Sequence, residues 1–487
     1  MKIFRVASFF VLAASPAIYA QDAGMVLRTS VTYRTQRNSL QLTDEQKQQA
    51  DQLARDAVQA NQAGKYGEAV RAYYHGLAVM RGAAWTPASE CVASFQGHLN
   101  HAVAEPGKPL TVQLSSLYSC APAAPKLTLT LSLVPLKKDS ASEKILGSPA
   151  IVDPAEMPFS TTITLDRETV GDYTVEMRLK GPEGEGGVGT VRPLPVHIEA
   201  LAAAAQDLRD RIAKSSKKTS PAMPTAEYAL ALYERADHGE VNPSAVHLSE
   251  QFARANQILD ALDAGRDPFP GSGDFHKAYR SGVDQSLQPY RVFVPQAYSA
   301  SKPSGLVIAL HGMGGDENSM FDSYSGAMKR EAERVGLIVA CPKGLDSASM
   351  YRDAAEKDVM NVLAEVRRDY NIDPGRIYLM GHSMGGYGTW SMSMNHPDVF
   401  AALGPISGGG NPAGMARIAH IPEYVVHGDD DRTVPVTQSR IMVEAGKKAG
   451  ANITYVEVPG GSHVSVAAPN FGPMLDFFVQ QKKTKTE

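Results

Sequence analysis

A series of short, mostly apolar runs after Pro289 constrains this chain more than any other feature. They are Tyr290 to Val294, Gly305 to Leu310, Leu337 to Cys341, Arg376 to Met380, Ala401 to Ile406, Tyr424 to His427 and Ile453 to Val458. Helix-compatible stretches lie between most of them, notably Ala354 to Tyr370 and Val436 to Ala449. A strand that is apolar along its whole length is buried on both faces, and parallel neighbours need a crossover helix to connect them. The pattern therefore predicts an α/β fold, a largely parallel sheet with helices on both sides. In such sheets reactive groups collect in the loops beyond the carboxyl ends of the strands.

A chain of 487 residues is too long for one hydrophobic core, and its composition changes along its length. Lys2 and Arg5 precede an apolar run from Val6 to Ala14, followed by Ser15, Pro16 and Ala20, the pattern of a secretory signal peptide over residues 1–20. Residues 21–88 form a helical hairpin region. Thr43 with Gln46 makes a capping box, Gly64 stops the first helix, and a second starts at Tyr66. The string Gly64, Tyr66, Glu68, Ala69, Tyr73, Leu77 and Ala78 resembles one tetratricopeptide-type hairpin, read here as a hairpin docked on a neighbouring domain. Residues 89–199 alternate in short runs, such as Leu110 to Leu114, Leu127 to Val134, Thr161 to Leu165 and Tyr173 to Leu179, which predicts a β-sandwich-like domain. Residues 200–272 read as a helical linker region, and 273–487 as the domain built on the parallel sheet.

Charge and cysteine usage narrow the function classes. A net charge of -4 over this length carries no strong attraction to nucleic acid or anionic lipid, and no segment past the leader is apolar and long enough to span a bilayer. The expected location is the periplasm or the secreted fraction. Cys91 and Cys120 are candidates for a disulfide, while Cys341 lies in an apolar run and reads as a buried thiol. His98 and His101 have a ligand-like separation but no third partner nearby, so no metal and no cofactor are expected.

The chemistry is carried by Gly381-His382-Ser383-Met384-Gly385-Gly386, which follows one apolar run and precedes the helix-compatible Tyr387 to Asn395. Glycines two before and two after Ser383 let a strand turn sharply into a helix with the hydroxyl projecting at the top of the sheet. A serine hydroxyl needs a base, and the base needs an orienting carboxylate. In this strand-to-helix arrangement the chain order is serine, acid, histidine. Asp429, Asp430 and Asp431 follow the next-to-last run, and His463 follows the last and is the only histidine after His427. His463 is thus the expected base, and one of the three aspartates its partner. Leu310-His311-Gly312-Met313-Gly314-Gly315 ends an early run in a glycine-rich loop, so the backbone N–H groups of Met313 and Met384 are the expected oxyanion donors. His311, His382 and His427 read as packing and hydrogen-bonding groups beside the site. Tyr351 and Trp390 are candidates for the substrate pocket, although a tryptophan in the helix after the nucleophile, as Trp390 is, more often belongs to the core.

These residues resemble an α/β-hydrolase. Asn371-Ile372-Asp373-Pro374-Gly375-Arg376-Ile377-Tyr378 leading into Gly381 to Trp390, with His311 to Gly315 and Ser407-Gly408-Gly409-Gly410, is similar to the esterases grouped with feruloyl esterases, acetylxylan esterases and polyhydroxybutyrate depolymerases. Prolyl-oligopeptidase-type hydrolases are close by. The resemblance implies a Ser383-His463-Asp431 triad, because the family's His-Gly-x-x-Asp acid falls on Asp431. It implies a carboxylic ester hydrolase acting through an acyl-enzyme on a small or polymer-linked ester. A serine peptidase and a non-catalytic binding protein on the same scaffold are the alternatives, separated by peptide cleavage and by failure of a fluorophosphonate to label Ser383.

Overall fold

The computed structural model describes residues 23–121, 124–137, 143–182 and 188–483. The expected leader lies outside this range. The chain forms two compact units, one running to Ala203 and including Tyr233–His247, the other made of Ala204–Leu232 and Leu248–Glu487.

The first unit opens with helices α1 (Ala23–Ser39), α2 (Asp44–Gln62), α3 (Tyr66–Met80) and α4 (Pro87–Ser94). The capping box forms as expected: the Gln46 amide donates to the Thr43 hydroxyl and the Thr43 amide to the Gln46 side chain. Sequence periodicity shows the α2–α3 hairpin but not α1, whose Met25, Val26 and Tyr33 join the same core as Ala57, Val70 and Leu77. Strands β1 (Phe95–Leu99), β2 (Val103–Ala104), β3 (Pro109–Ser116), β4 (Leu127–Pro135), β5 (Lys144–Val152), β6 (Phe159–Thr164), β7 (Gly171–Lys180) and β8 (Val188–Ile198) follow. They make sheets of order β1-β3-β6 and β2-β8-β7-β4-β5 around one core that includes Leu110, Leu114, Leu129, Val175 and Leu179. Each sheet turns alternate residues inward, as a sandwich requires. Cys91 and Cys120 form a disulfide, with Cα atoms 5.2 Å apart. His101 Nδ1 lies 2.8 Å from Asp237 Oδ2.

The stretch 200–272 contains α5 (Ala202–Lys214), α6 (Met223–Asp237) and α7 (Leu248–Asp263) and divides between the two units. α7 buries Phe252, Ala255, Ile258, Leu259 and Leu262, a spacing that gives it one apolar face.

The second unit holds β9 (Gly273–Arg280), β10 (Leu287–Val294), β11 (Ser304–Leu310), α8 (Ser319–Asp322), α9 (Ala327–Val335), β12 (Ile338–Pro342), α10 (Ala354–Asp369), β13 (Ile372–His382), α11 (Met384–Asn395), β14 (Ala402–Ile406), β15 (Glu423–Gly428), α12 (Thr437–Lys448), β16 (Ile453–Val458) and α13 (Ala467–Val479). The eight-stranded sheet has the order β16-β15-β14-β13-β11-β12-β10-β9. β11 to β16 pair in parallel, and β10 and β9 close one edge in antiparallel. Alternation along the strands divides the core. Leu306, Ile308, Leu310, Ile377 and Leu379 pack with α10, α11 and α12, while Val307, Ala309, Tyr378 and Met380 pack with α9 and α13. This three-layer α/β sandwich is the architecture expected from the apolar runs.

One core contact carries a pH dependence. Glu423, at the start of β15, is fully buried; Trp390 Nε1 donates to its Oε2 at 2.8 Å and its Oε1 has no partner. Burial raises its pKa from 4.5 to about 7, against the lowering effect of the Trp390 hydrogen bond. The folded state therefore keeps a proton that the unfolded chain releases. The stability linked to that proton is complete below the unfolded pKa and is lost as pH rises through the folded one. Glu423→Gln keeps an acceptor for Trp390 and removes the ionisation. In urea unfolding, wild-type stability should fall relative to this variant by about 2 kcal/mol between about pH 5 and pH 8; parallel pH curves would refute the account.

Candidate active site

Four loops at the carboxyl ends of parallel strands bring the candidate residues together. β13 ends at His382, and Ser383 stands at the junction with α11 with φ 59° and ψ -117°. A non-glycine residue in that region is strained and held only by its surroundings. The Ser383 amide donates to Ile406 O at 2.9 Å, and its carbonyl accepts from Tyr387 N at 3.1 Å. The flanking glycines are required by close approach. A Cβ on Gly381 would lie 2.4 Å from Gly385 O, and one on Gly385 would lie 2.2 Å from Leu310 O, both against backbone that has no rotamer to yield.

His463, in the loop after β16, places Nε2 2.8 Å from Ser383 Oγ and Nδ1 2.7 Å from Asp431 Oδ2. A carboxylate accepts only, so Nδ1 carries the proton and Nε2 is left to accept from the serine hydroxyl. Asp431, in the loop after β15, is the one aspartate of the run that reaches His463. Asp429 Oδ1 accepts from the Gly460 amide, and Asp430 Oδ1 accepts from Arg432 Nε. The Asp431 side chain has no exposed surface. Burial alone would raise its pKa, but hydrogen bonds from His463 and the Val434 and Thr433 amides hold it below the usual carboxylate value. His427 Nε2 also approaches Asp431 Oδ2 at 3.1 Å, and burial holds its pKa below the usual histidine value.

The loop after β11 runs alongside the serine: a Cβ on Gly312 would lie 3.3 Å from Ser383 Cβ. Met313 follows directly, 66% exposed. The Met384 amide is in the first turn of α11, where N–H groups have no intrahelical acceptor and the helix dipole is positive.

The prolyl oligopeptidase family matches residues 348–412, across the segment that carries Ser383. A bifunctional acetylxylan esterase/xylanase from Neocallimastix patriciarum is 31% identical over 144 residues, 29% of this chain and 21% of that protein. A probable feruloyl esterase C from Aspergillus oryzae is 28% identical over 187 residues, 36% of this chain and 68% of the relative. Over the matched part this chain is thus similar to serine esterases, and it spans about a fifth of the length of the first of these relatives and about two thirds of the second. Among solved structures, a thermostable esterase aligns at TM-score 0.40 and 18% identity over 78% of this chain and 98% of its own. A ferulic acid esterase aligns at TM-score 0.38 and 18% identity over 43% of this chain and 98% of its own.

One expectation needs correction: Tyr351 does not line an open pocket, because it is fully buried in the core, as Trp390 is, in keeping with the core reading of its helix. Tyr351 instead donates its hydroxyl to His311 O at 3.1 Å, beneath the loop that carries Met313. Sequence reasoning also missed Tyr324, whose hydroxyl lies 2.8 Å from His382 Nδ1, and Ser407, whose Oγ donates to His463 O at 3.3 Å. Tyr324 lies in no motif that would single it out, whereas Ser407 begins the Ser-Gly-Gly-Gly string but had no role assigned to it. No helix among the described residues is long and apolar enough to cross a membrane.

Proposed function

We propose that residues 273–487 hydrolyse carboxylic esters through an acyl-enzyme, with Ser383 as nucleophile, His463 as base and then acid, and Asp431 as its orienting partner. The observation that carries this reading is the unbroken line from Ser383 Oγ through His463 to Asp431, with links of 2.8 and 2.7 Å. Ser383 Oγ bonds to the ester carbonyl carbon as its proton passes to His463 Nε2. The carbonyl oxygen becomes an oxyanion, held by the Met313 and Met384 amides. When the intermediate collapses, the alcohol leaves with the proton from His463. Water, deprotonated by the same nitrogen, then releases the acid and restores the serine.

The expected leader would deliver this chemistry to the periplasm or the medium. The relatives are named for acetylxylan and feruloyl esters, so acetyl and feruloyl esters of polysaccharides are the first substrates to test. The prolyl oligopeptidase match over residues 348–412 favours a second reading, a serine peptidase. A fluorophosphonate probe is expected to add its phosphonyl group to Ser383 alone, located by peptide mass. Acetyl esters should then turn over far faster than the amides of short peptides. No label on folded protein would overturn the hydrolase reading, and equal or faster amide cleavage would overturn the esterase.

A further inference from the structure

His382 is adjacent to the nucleophile, yet its side chain takes no part in the chemistry described above. It is almost wholly buried, and its ring touches three parts of the site. Its Nε2 lies 2.8 Å from the backbone carbonyl of His463, and its ring centroid is 4.8 Å from that of His463. Its Nδ1 lies 2.8 Å from the Tyr324 hydroxyl. A Cβ on Gly312 would lie 3.7 Å from the same Nδ1, so the ring also packs against the loop carrying Met313.

The hydrogen positions follow from what each nitrogen faces. A carbonyl can only accept, so Nε2 carries the hydrogen; Nδ1 of the neutral ring then accepts from the phenol O–H. Burial supports this assignment at neutral pH. It lowers the His382 pKa to about 4, with the His463 carbonyl opposing, and raises that of Tyr324 to about 12. A neutral imidazole and a neutral phenol can hold only this order of donors, which gives the chain Tyr324 O–H to His382 to His463 C=O a fixed direction. Tyr324 is itself wedged edge-on between the rings of Phe471 and His382, with centroids 5.1 and 5.9 Å away.

The geometry points to His382 as a positioning residue for the base: through its Nε2–H it fixes the backbone of His463, and Tyr324 holds it in the tautomer that can do so. This rests on the esterase reading of Ser383 and His463. The physical reason is reach. The loop bearing His463 leaves the sheet after β16, with two strands, β15 and β14, between it and the β13 end that carries Ser383, and a small displacement of an imidazole from a serine oxygen is costly. His382, the residue that precedes the nucleophile, joins that loop directly to the end of β13.

The test compares His382→Leu, which removes the donor, with His382→Gln, whose side-chain amide can reach the same carbonyl. Each is assayed as folded protein on p-nitrophenyl acetate. His382→Leu should lower kcat about 10- to 100-fold with little change in KM, and His382→Gln should recover most of the loss. The downfield proton resonance of His463 Nδ1–H should shift or broaden in the leucine variant and return in the glutamine variant. An unchanged kcat in His382→Leu, or equal losses in both variants, would overturn the inference. Should the leucine variant not fold, Tyr324→Phe decides: a several-fold fall in kcat at unchanged KM supports it, and wild-type kcat overturns it. Failure of the esterase reading itself is distinguishable, because Ser383→Ala would then retain activity whatever His382 does.

Discussion

Ser383→Ala is expected to lower kcat for p-nitrophenyl acetate by about 10⁵-fold or more while the protein stays folded. In the proposed mechanism Oγ is the atom that forms the acyl-enzyme, so its removal leaves only the residual rate that oxyanion donors and binding would supply. The fold should tolerate the change. The hydroxyl's hydrogen bond is to His463, whose other nitrogen remains on Asp431, and the strained backbone at position 383 is held by Ile406 O and Tyr387 N through main-chain atoms that alanine also has. Matched unfolding midpoints with lost turnover are the expected pair of results. Turnover close to wild type would show that another group is the nucleophile.

Asp431→Asn should cost about 10⁴-fold in kcat with the geometry intact. The surrounding backbone dictates how the amide sits. Asp431 Oδ1 accepts from the Thr433 and Val434 amides at 2.8 Å each, so the asparagine oxygen must stay on that side. Its NH2 group is thereby turned toward His463 Nδ1, which must give up its hydrogen and accept. The hydrogen moves to Nε2, where it faces Ser383 Oγ and cannot receive the serine proton. A kcat within tenfold of wild type, with crystallographic geometry unchanged, would remove Asp431 from the proposed machinery.

Much of the second unit was legible because its strands are apolar along their length. β11, β12, β14 and β15 fall within a residue or two of the expected runs. β9 escaped notice for the opposite reason. It carries Asp274, His276, Lys277 and Arg280, which read as a loop until tertiary partners satisfy them: Lys277 donates to Asp369 at 2.5 Å and Arg291 to both oxygens of Asp274 at 2.7 Å. A charged strand has no local signature, because what permits its burial lies elsewhere in the chain. α1 was missed in the same way, since its apolar residues make sense only against α2 and α3.

The sequence by itself determined that a serine between two spaced glycines would stand at a strand-to-helix turn. It also placed a histidine and a run of aspartates after later strands, because hydrophobic period and glycine stereochemistry are local. Only the tertiary structure decided which of Asp429, Asp430 and Asp431 reaches His463 by its own geometry, that Tyr351 belongs to the core, and that Tyr324 and His382 link the His463 loop to the end of β13. Those assignments depend on distances of a few ångströms between residues tens of positions apart, and such distances are set by how the sheet stacks its strands.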